Sequence, residues 1–124
     1  MKKFKDDKKE FELPKEKNGL SNIGMIVTGG TIANKLDPRT GGVAPLTNVS
    51  EFVKYYPEMF EIVNVKKIEV PFMIASESMD SFHWKKIAEV CSEMLNDSDI
   101  KGVVITHGTD FLHYTSAALS FFLK

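Results

Sequence analysis

Two short apolar runs, each ending in a threonine and then a glycine-containing turn, constrain this chain more than any other feature. Residues 23–28 (Ile-Gly-Met-Ile-Val-Thr) lead into Gly29-Gly30, and residues 102–106 (Gly-Val-Val-Ile-Thr) lead into His107-Gly108-Thr109-Asp110. A strand with one wet face alternates polar and apolar residues. These runs do not alternate, so they read as strands buried on both faces, the habit of parallel sheets. Between them, Asp80 or Ser81 can cap a helix whose apolar positions Trp84, Ile87, Ala88, Cys91, Met94 and Leu95 recur at intervals of three and four. After the second run, residues 114–123 read as a helix that is apolar nearly all round.

The remaining segments complete a βαβαβα order. Thr47 or Asn48 can cap a short helix that runs through Tyr56 and stops at Pro57. Residues 60–74 are rich in β-branched side chains and read as one or two strands. Residues 34–45 contain two prolines, two glycines and no apolar period, which predicts a loop long enough to serve as a lid over a site. The fold class is therefore α/β, a mostly parallel sheet with flanking helices in three layers, and binding belongs at the carboxyl ends of its strands. Residues 1–20, dense in both signs of charge and poor in branched apolar side chains, read as a flexible arm or linker before a folded part at residues 21–124. The alternative is a docking segment anchored by Phe4, Phe11 and Leu13.

Composition removes several function classes. With 16 basic and 17 acidic residues, a net charge of −1 and a pI near 6.3, the chain lacks the basic excess of a free-standing nucleic-acid binder. Its single cysteine, Cys91, cannot form an internal disulfide and reads as a small core residue in a reducing compartment. No apolar stretch reaches the roughly 18–20 residues that span a bilayer, and a signal-peptide core is missing, so the expectation is a soluble, cytoplasmic protein. His83, His107 and His113 do not have the spacing of a metal-ligand pair, and neither a metal nor a cofactor is expected.

Chemistry concentrates at the two strand ends. In Thr28-Gly29-Gly30-Thr31-Ile32-Ala33 the glycines allow a sharp turn and close approach of a ligand, and they present the Thr31 hydroxyl beyond the turn. Taken alone, this is equally an ordinary strand-to-loop turn. A phosphate loop is not indicated, because neither GxxxxGK[ST] nor GxGxxG is present. In Thr106-His107-Gly108-Thr109-Asp110 a hydroxyl stands beside a carboxylate at a helix start, where backbone N–H groups favour an anion such as a substrate carboxylate. The plainer reading makes Asp110 a helix cap.

Taken together, in this order and spacing, Thr-Gly-Gly-Thr-Ile-Ala at residues 28–33, Ser-Glu-Ser-Met at 76–79 and Val-Val-Ile-Thr-His-Gly-Thr-Asp at 103–110 resemble the asparaginase/glutaminase family of threonine amidohydrolases. Asp-Pro-Arg-Thr-Gly-Gly-Val at 37–43 and His-Tyr-Thr-Ser-Ala-Ala-Leu-Ser-Phe at 113–121 are most similar to its glutamyl-tRNA(Gln) amidotransferase D-subunit branch, whose members hydrolyse glutamine to supply ammonia. The resemblance runs from about Ile23 to Lys124 and covers the first part of the family's catalytic region. It implies that Thr31 is the nucleophile that forms an acyl-enzyme and that Thr109 and Asp110 are the threonine and aspartate accompanying it. It further implies that Ser76 and Glu77, with Gly30 and Gly108, hold the substrate, L-glutamine or L-asparagine.

The chain also departs from the family pattern. Pro38 stands where a loop tyrosine is expected, Phe111 where a threonine commonly follows the aspartate, and the lysine that partners Thr109 and Asp110 lies in sequence this chain does not contain. The expectation is thus the N-terminal part of a two-domain amidohydrolase, inactive until a complementary C-terminal chain or segment completes it in a homo- or hetero-oligomer. Any tRNA would be met only through a partner subunit. Glu77, where bacterial asparaginases usually carry glutamine, tips the choice toward glutamine as substrate. Part of a free-standing L-asparaginase and a non-catalytic assembly subunit are the competing readings.

Overall fold

The computed structural model describes residues 13–45, 51 and 54–124. Among them, the elements in chain order are β1 (Asn22–Val27), β2 (Asn34–Leu36), β3 (Val43–Pro45), a one-turn α1 (Met59–Ile62), β4 (Asn64–Glu69), α2 (Ser81–Leu95), β5 (Gly102–Thr106) and α3 (Leu112–Phe122). Short 3-10 turns lie at Thr31–Ala33 and Ser76–Ser78. β4, β1 and β5 form one sheet in that order, and both pairings are parallel. The α/β expectation holds, with the first apolar run at the centre of the sheet.

The unalternating sequence of β1 has its explanation in two cores. Met25 and Val27 point to one face and pack with Ala33, Phe60 and Val65. Ile26 points to the other and packs with Val90, Cys91, Met94 and Ile100. Ile26 and Val27 are wholly excluded from solvent, and each side chain of this kind contributes about 1.5–3 kcal/mol by leaving water. α2 supplies most of the second core. Asp80 caps it by accepting from the backbone N–H groups of Phe82 (3.0 Å) and His83 (3.4 Å). Of the six apolar positions read from the sequence, Ile87, Ala88, Cys91 and Met94 are buried, Trp84 is partly buried, and Leu95 is exposed.

One expectation needs correction. Residues 34–45 are not a structureless loop: β2 and β3 pair as an antiparallel hairpin, Asn34 opposite Pro45 and Leu36 opposite Val43. Its turn closes because Asp37 bonds Gly42 and Gly41 through the backbone (both 2.8 Å) while its carboxylate accepts from Arg39 N–H (2.9 Å). Strands this short carry too few side chains for an alternation to be visible. Residues 60–74 hold one strand, as the one-or-two reading allowed; Phe60 belongs to α1, and residues beyond Glu69 run on without a ladder partner. Of the helix read through Tyr56, Glu51, Lys54 and Tyr55 are helical, while its caps Thr47 and Asn48 lie outside the described residues.

Phe4 and Phe11 of the charged N-terminal segment also lie outside the described residues. Its described part, residues 13–20, is tied to β4 and to the first core. Asn64 accepts from Lys17 N–H (2.8 Å) and donates to the Lys17 carbonyl (3.0 Å), Lys66 pairs with Glu16, and Leu13 packs on the first core. No helix among the described residues is long and apolar enough to cross a membrane.

Candidate active site

Thr28, the residue after β1, gathers the strand ends. Its hydroxyl donates to the Thr106 carbonyl (2.7 Å), its N–H bonds the same oxygen (3.3 Å), and its own carbonyl accepts from Ile74 N–H (3.1 Å). Thr28 is completely buried, so these bonds form where water does not compete. The chain then turns at Gly29 (φ +128°) and Gly30 (φ +85°). A Cβ on Gly29 would stand 2.4 Å from the Ile74 carbonyl oxygen, and one on Gly30 would stand 2.6 Å from Gly108 N. The paired glycines are thus required twice, by backbone angle and by the absence of space.

Thr31 opens the 3-10 turn that follows, with its side chain exposed. The turn is held from behind by Ala33, which is fully buried and donates its N–H to the Gly30 carbonyl (3.0 Å), and by the Tyr56 hydroxyl, which donates to the Ile32 carbonyl. A rigid base and an outward hydroxyl result. On the β5 side, His107 is buried and its Nδ1–H reaches the Gly108 carbonyl (2.6 Å), beyond which Thr109 and Asp110 are exposed.

Asp110 does not cap α3. That position belongs to Phe111, which offers no side-chain cap, and its N–H instead donates to Ser76 Oγ (3.2 Å). The Asp110 carboxylate is left to the solvent side. Ser76, buried against Gly108, also contacts the Glu77 carboxylate (3.4 Å).

These pieces enclose one cleft of about 460 Å³. The β1 turn lends Gly29, Gly30 and Thr31; the segment after β4 lends Met73 through Glu77; the β5 loop lends Gly108, Thr109 and Asp110; the hairpin lends Asn34 and Val43. Every site residue read from the sequence is therefore in one place. Three hydroxyls, Thr31, Ser76 and Thr109, face two carboxylates, Glu77 and Asp110, and among the described residues the lining contains no cation. Such a cleft can accommodate a small molecule that bears an ammonium group. Among the described residues no three His, Cys, Asp or Glu side chains converge as a metal site. Thr28 and Tyr56, which hold the turn, were not singled out from the sequence; a buried threonine and a tyrosine 25 residues from Thr31 carry no local signal.

A family model described as asparaginase, N-terminal, matches residues 22–124. The chain belongs to the asparaginase family. Its similar curated relatives include the D subunit of the Pyrococcus abyssi glutamyl-tRNA(Gln) amidotransferase, 48% identical over 108 residues, which are 87% of this chain and 24% of the relative. The corresponding D subunit of Thermococcus kodakarensis is 46% identical over 118 residues, 94% of this chain and 26% of the relative. The chain thus spans about a quarter of the length of the curated relatives it matches. Among solved structures, the thermostable L-asparaginase of Thermococcus kodakarensis superposes with a TM-score of 0.64 at 31% identity, over 81% of this chain and 29% of that one. The probable cytoplasmic L-asparaginase of Campylobacter jejuni gives 0.63 at 29% identity, over 80% and 30%.

Proposed function

We propose that this chain supplies the nucleophile half of an amidohydrolase site that releases ammonia from the side-chain amide of L-glutamine, for the formation of Gln-tRNA(Gln). The observation that carries the reading is the convergence of Thr31, Thr109 and Asp110, from two neighbouring strand ends, on a single cleft. In this reading Thr31 Oγ attacks the amide carbon, its proton passes by way of the Thr109 hydroxyl to a base, and the leaving nitrogen departs as ammonia after taking up a proton. Water then hydrolyses the Thr31 ester to give glutamate and free threonine. A threonine hydroxyl is a weak nucleophile, so a base is essential; in this reading it is a neutral amine supplied by the rest of the assembly, the two carboxylates of the cleft being engaged with the substrate ammonium.

Asp110 and Glu77 pair with the substrate α-ammonium, and Ser76 with Gly30 and Gly108 shapes the floor on which the α-carboxylate sits. Residues 21–124 form the first part of the catalytic domain, with residues 1–20 as its lead-in. The exposed apolar side chains of α3, Leu112, Tyr114, Phe121 and Phe122, support a complementary segment or subunit that covers them. Any tRNA engages that partner, not this chain.

The solved L-asparaginases among its structural neighbours give a second reading, asparagine as substrate. Ammonia release from glutamine and from asparagine by the native assembly isolated through this chain, with and without glutamyl-tRNA, separates the two. Glutamine use stimulated by charged tRNA supports the amidotransferase role. Asparagine preference indifferent to tRNA replaces it with the second reading, and no ammonia from either substrate rejects both.

A further inference from the structure

Ser76 and Glu77 sit on a turn of three residues, too short to hold its own shape. Its geometry comes from α3, at two points. At the first, Phe111 N–H donates to Ser76 Oγ (3.2 Å). The second is Thr115, one helical turn further on and 2% exposed. Its hydroxyl accepts from Trp84 Nε1 of α2 (3.0 Å), which leaves its own proton for Met79 Sδ, 4.0 Å away. Met79, itself buried, closes the Ser76–Ser78 turn through its N–H to the Ser76 carbonyl (3.2 Å).

We propose that Thr115 is a positioning residue for the substrate-holding turn: its hydroxyl locks Met79 against α2 and α3, and thereby sets where Ser76 and Glu77 stand in the cleft. The chain of contacts is Trp84 to Thr115 to Met79 to Ser76, and each member but Trp84 is buried. A helical threonine ordinarily returns its hydroxyl to the carbonyl four residues back. In Thr115 that proton instead joins two helices to a loop. Ser76 is packed close to the Gly108 backbone, where a Cβ would stand 2.9 Å from Ser76 Oγ, so the turn that Met79 closes sits directly against the β5 loop.

The inference rests on the reading that Ser76 and Glu77 hold the substrate. It predicts that Thr115→Val, which keeps the shape and loses the hydroxyl, raises the KM for glutamine about tenfold with kcat within about twofold, because uniform binding is lost and chemistry is not. Thr115→Ser, which keeps the hydroxyl, restores KM to within about twofold of the parent. Should Thr115→Val fail to assemble, Met79→Leu, which removes the sulfur acceptor and keeps the bulk, carries the same expectation of a raised KM. The assay uses the native assembly with glutamine as probe. An unchanged KM in an assembled Thr115→Val, or a Thr115→Ser variant as impaired as the valine, overturns the proposal. Failure of the underlying reading looks different: Ser76→Ala and Glu77→Gln would then also leave the KM for glutamine unchanged.

Discussion

Gly30 and Gly108 meet backbone to backbone: a Cβ on Gly30 would lie 2.6 Å from Gly108 N and 2.7 Å from the His107 carbonyl oxygen. Because Thr31 follows one of these glycines and Thr109 the other, their approach brings the two threonines to a common cleft. Nothing in either motif by itself requires that meeting; the parallel pairing of β1 with β5 does, by ending the two strands level at Val27 and Thr106.

Gly30→Ala tests this contact. At φ +85° and ψ 165° the backbone sits where side chains are strained by about 1–3 kcal/mol, before the clash with Gly108 is counted. The expected outcome is a lower melting temperature together with loss of ammonia release, read by a thermal melt and an ammonia assay on the same preparation. An alanine variant as stable and active as the parent would contradict the packing described for the strand ends.

Thr28→Val addresses the bond that gathers the strand ends. Valine keeps the volume in a site with no solvent access but leaves the Thr106 carbonyl short of its 2.7 Å donor. Because that carbonyl keeps the Thr28 N–H, denaturant titration is expected to register a loss of about 0.5–1.5 kcal/mol. Thr28→Ser, which keeps the hydroxyl, should recover most of it.

Asp80 makes acid stability a local property of α2. The hydrogen bond from His83 at 2.8 Å, aided by the backbone N–H groups of His83 and Phe82, holds the Asp80 carboxyl below its ordinary value of 3.8. A carboxylate depressed in the fold stabilises it above the unfolded pKa, and that contribution disappears as pH falls through the lower, folded value. Melting temperature measured from pH 6 down to about pH 2 should therefore drop less steeply in Asp80→Asn, which still caps the helix but does not titrate. Parallel curves for the two proteins would show that the pair contributes nothing to acid stability.

Much of this fold was legible because β1 carries the continuous apolar run of a strand buried on both faces, and because Ile87, Ala88, Cys91 and Met94 recur with helical period beneath the Asp80 cap; β5 carries a similar run but lies at the edge of the sheet among the described residues, with Val104 exposed and only Thr106 buried. The hairpin was missed since Asn34–Leu36 and Val43–Pro45 are stabilised by turn chemistry at Asp37 and Gly41, not by a patterned face. At the site, the glycines and hydroxyls of the β1 and β5 ends carried their own signal in the sequence. Asp110 was ambiguous as a cap or a cleft residue until the geometry put Phe111 at the cap position. Thr115, Tyr56 and Thr28 were invisible for a common reason: each acts through a contact with a residue far away in the chain, at Trp84, Ile32 and Thr106.

Substitution of the proposed nucleophile is the most direct test of the account. Thr31→Ala and Thr31→Ser should be compared with the parent for ammonia release from glutamine in the native assembly, with assembly followed by size-exclusion chromatography. The account predicts that the alanine variant assembles normally and loses turnover by about three or more orders of magnitude, while serine, which restores a hydroxyl, recovers part of it. Turnover undiminished in an assembled Thr31→Ala protein would show that the cleft between Gly30 and Gly108 is not where the amide is cleaved.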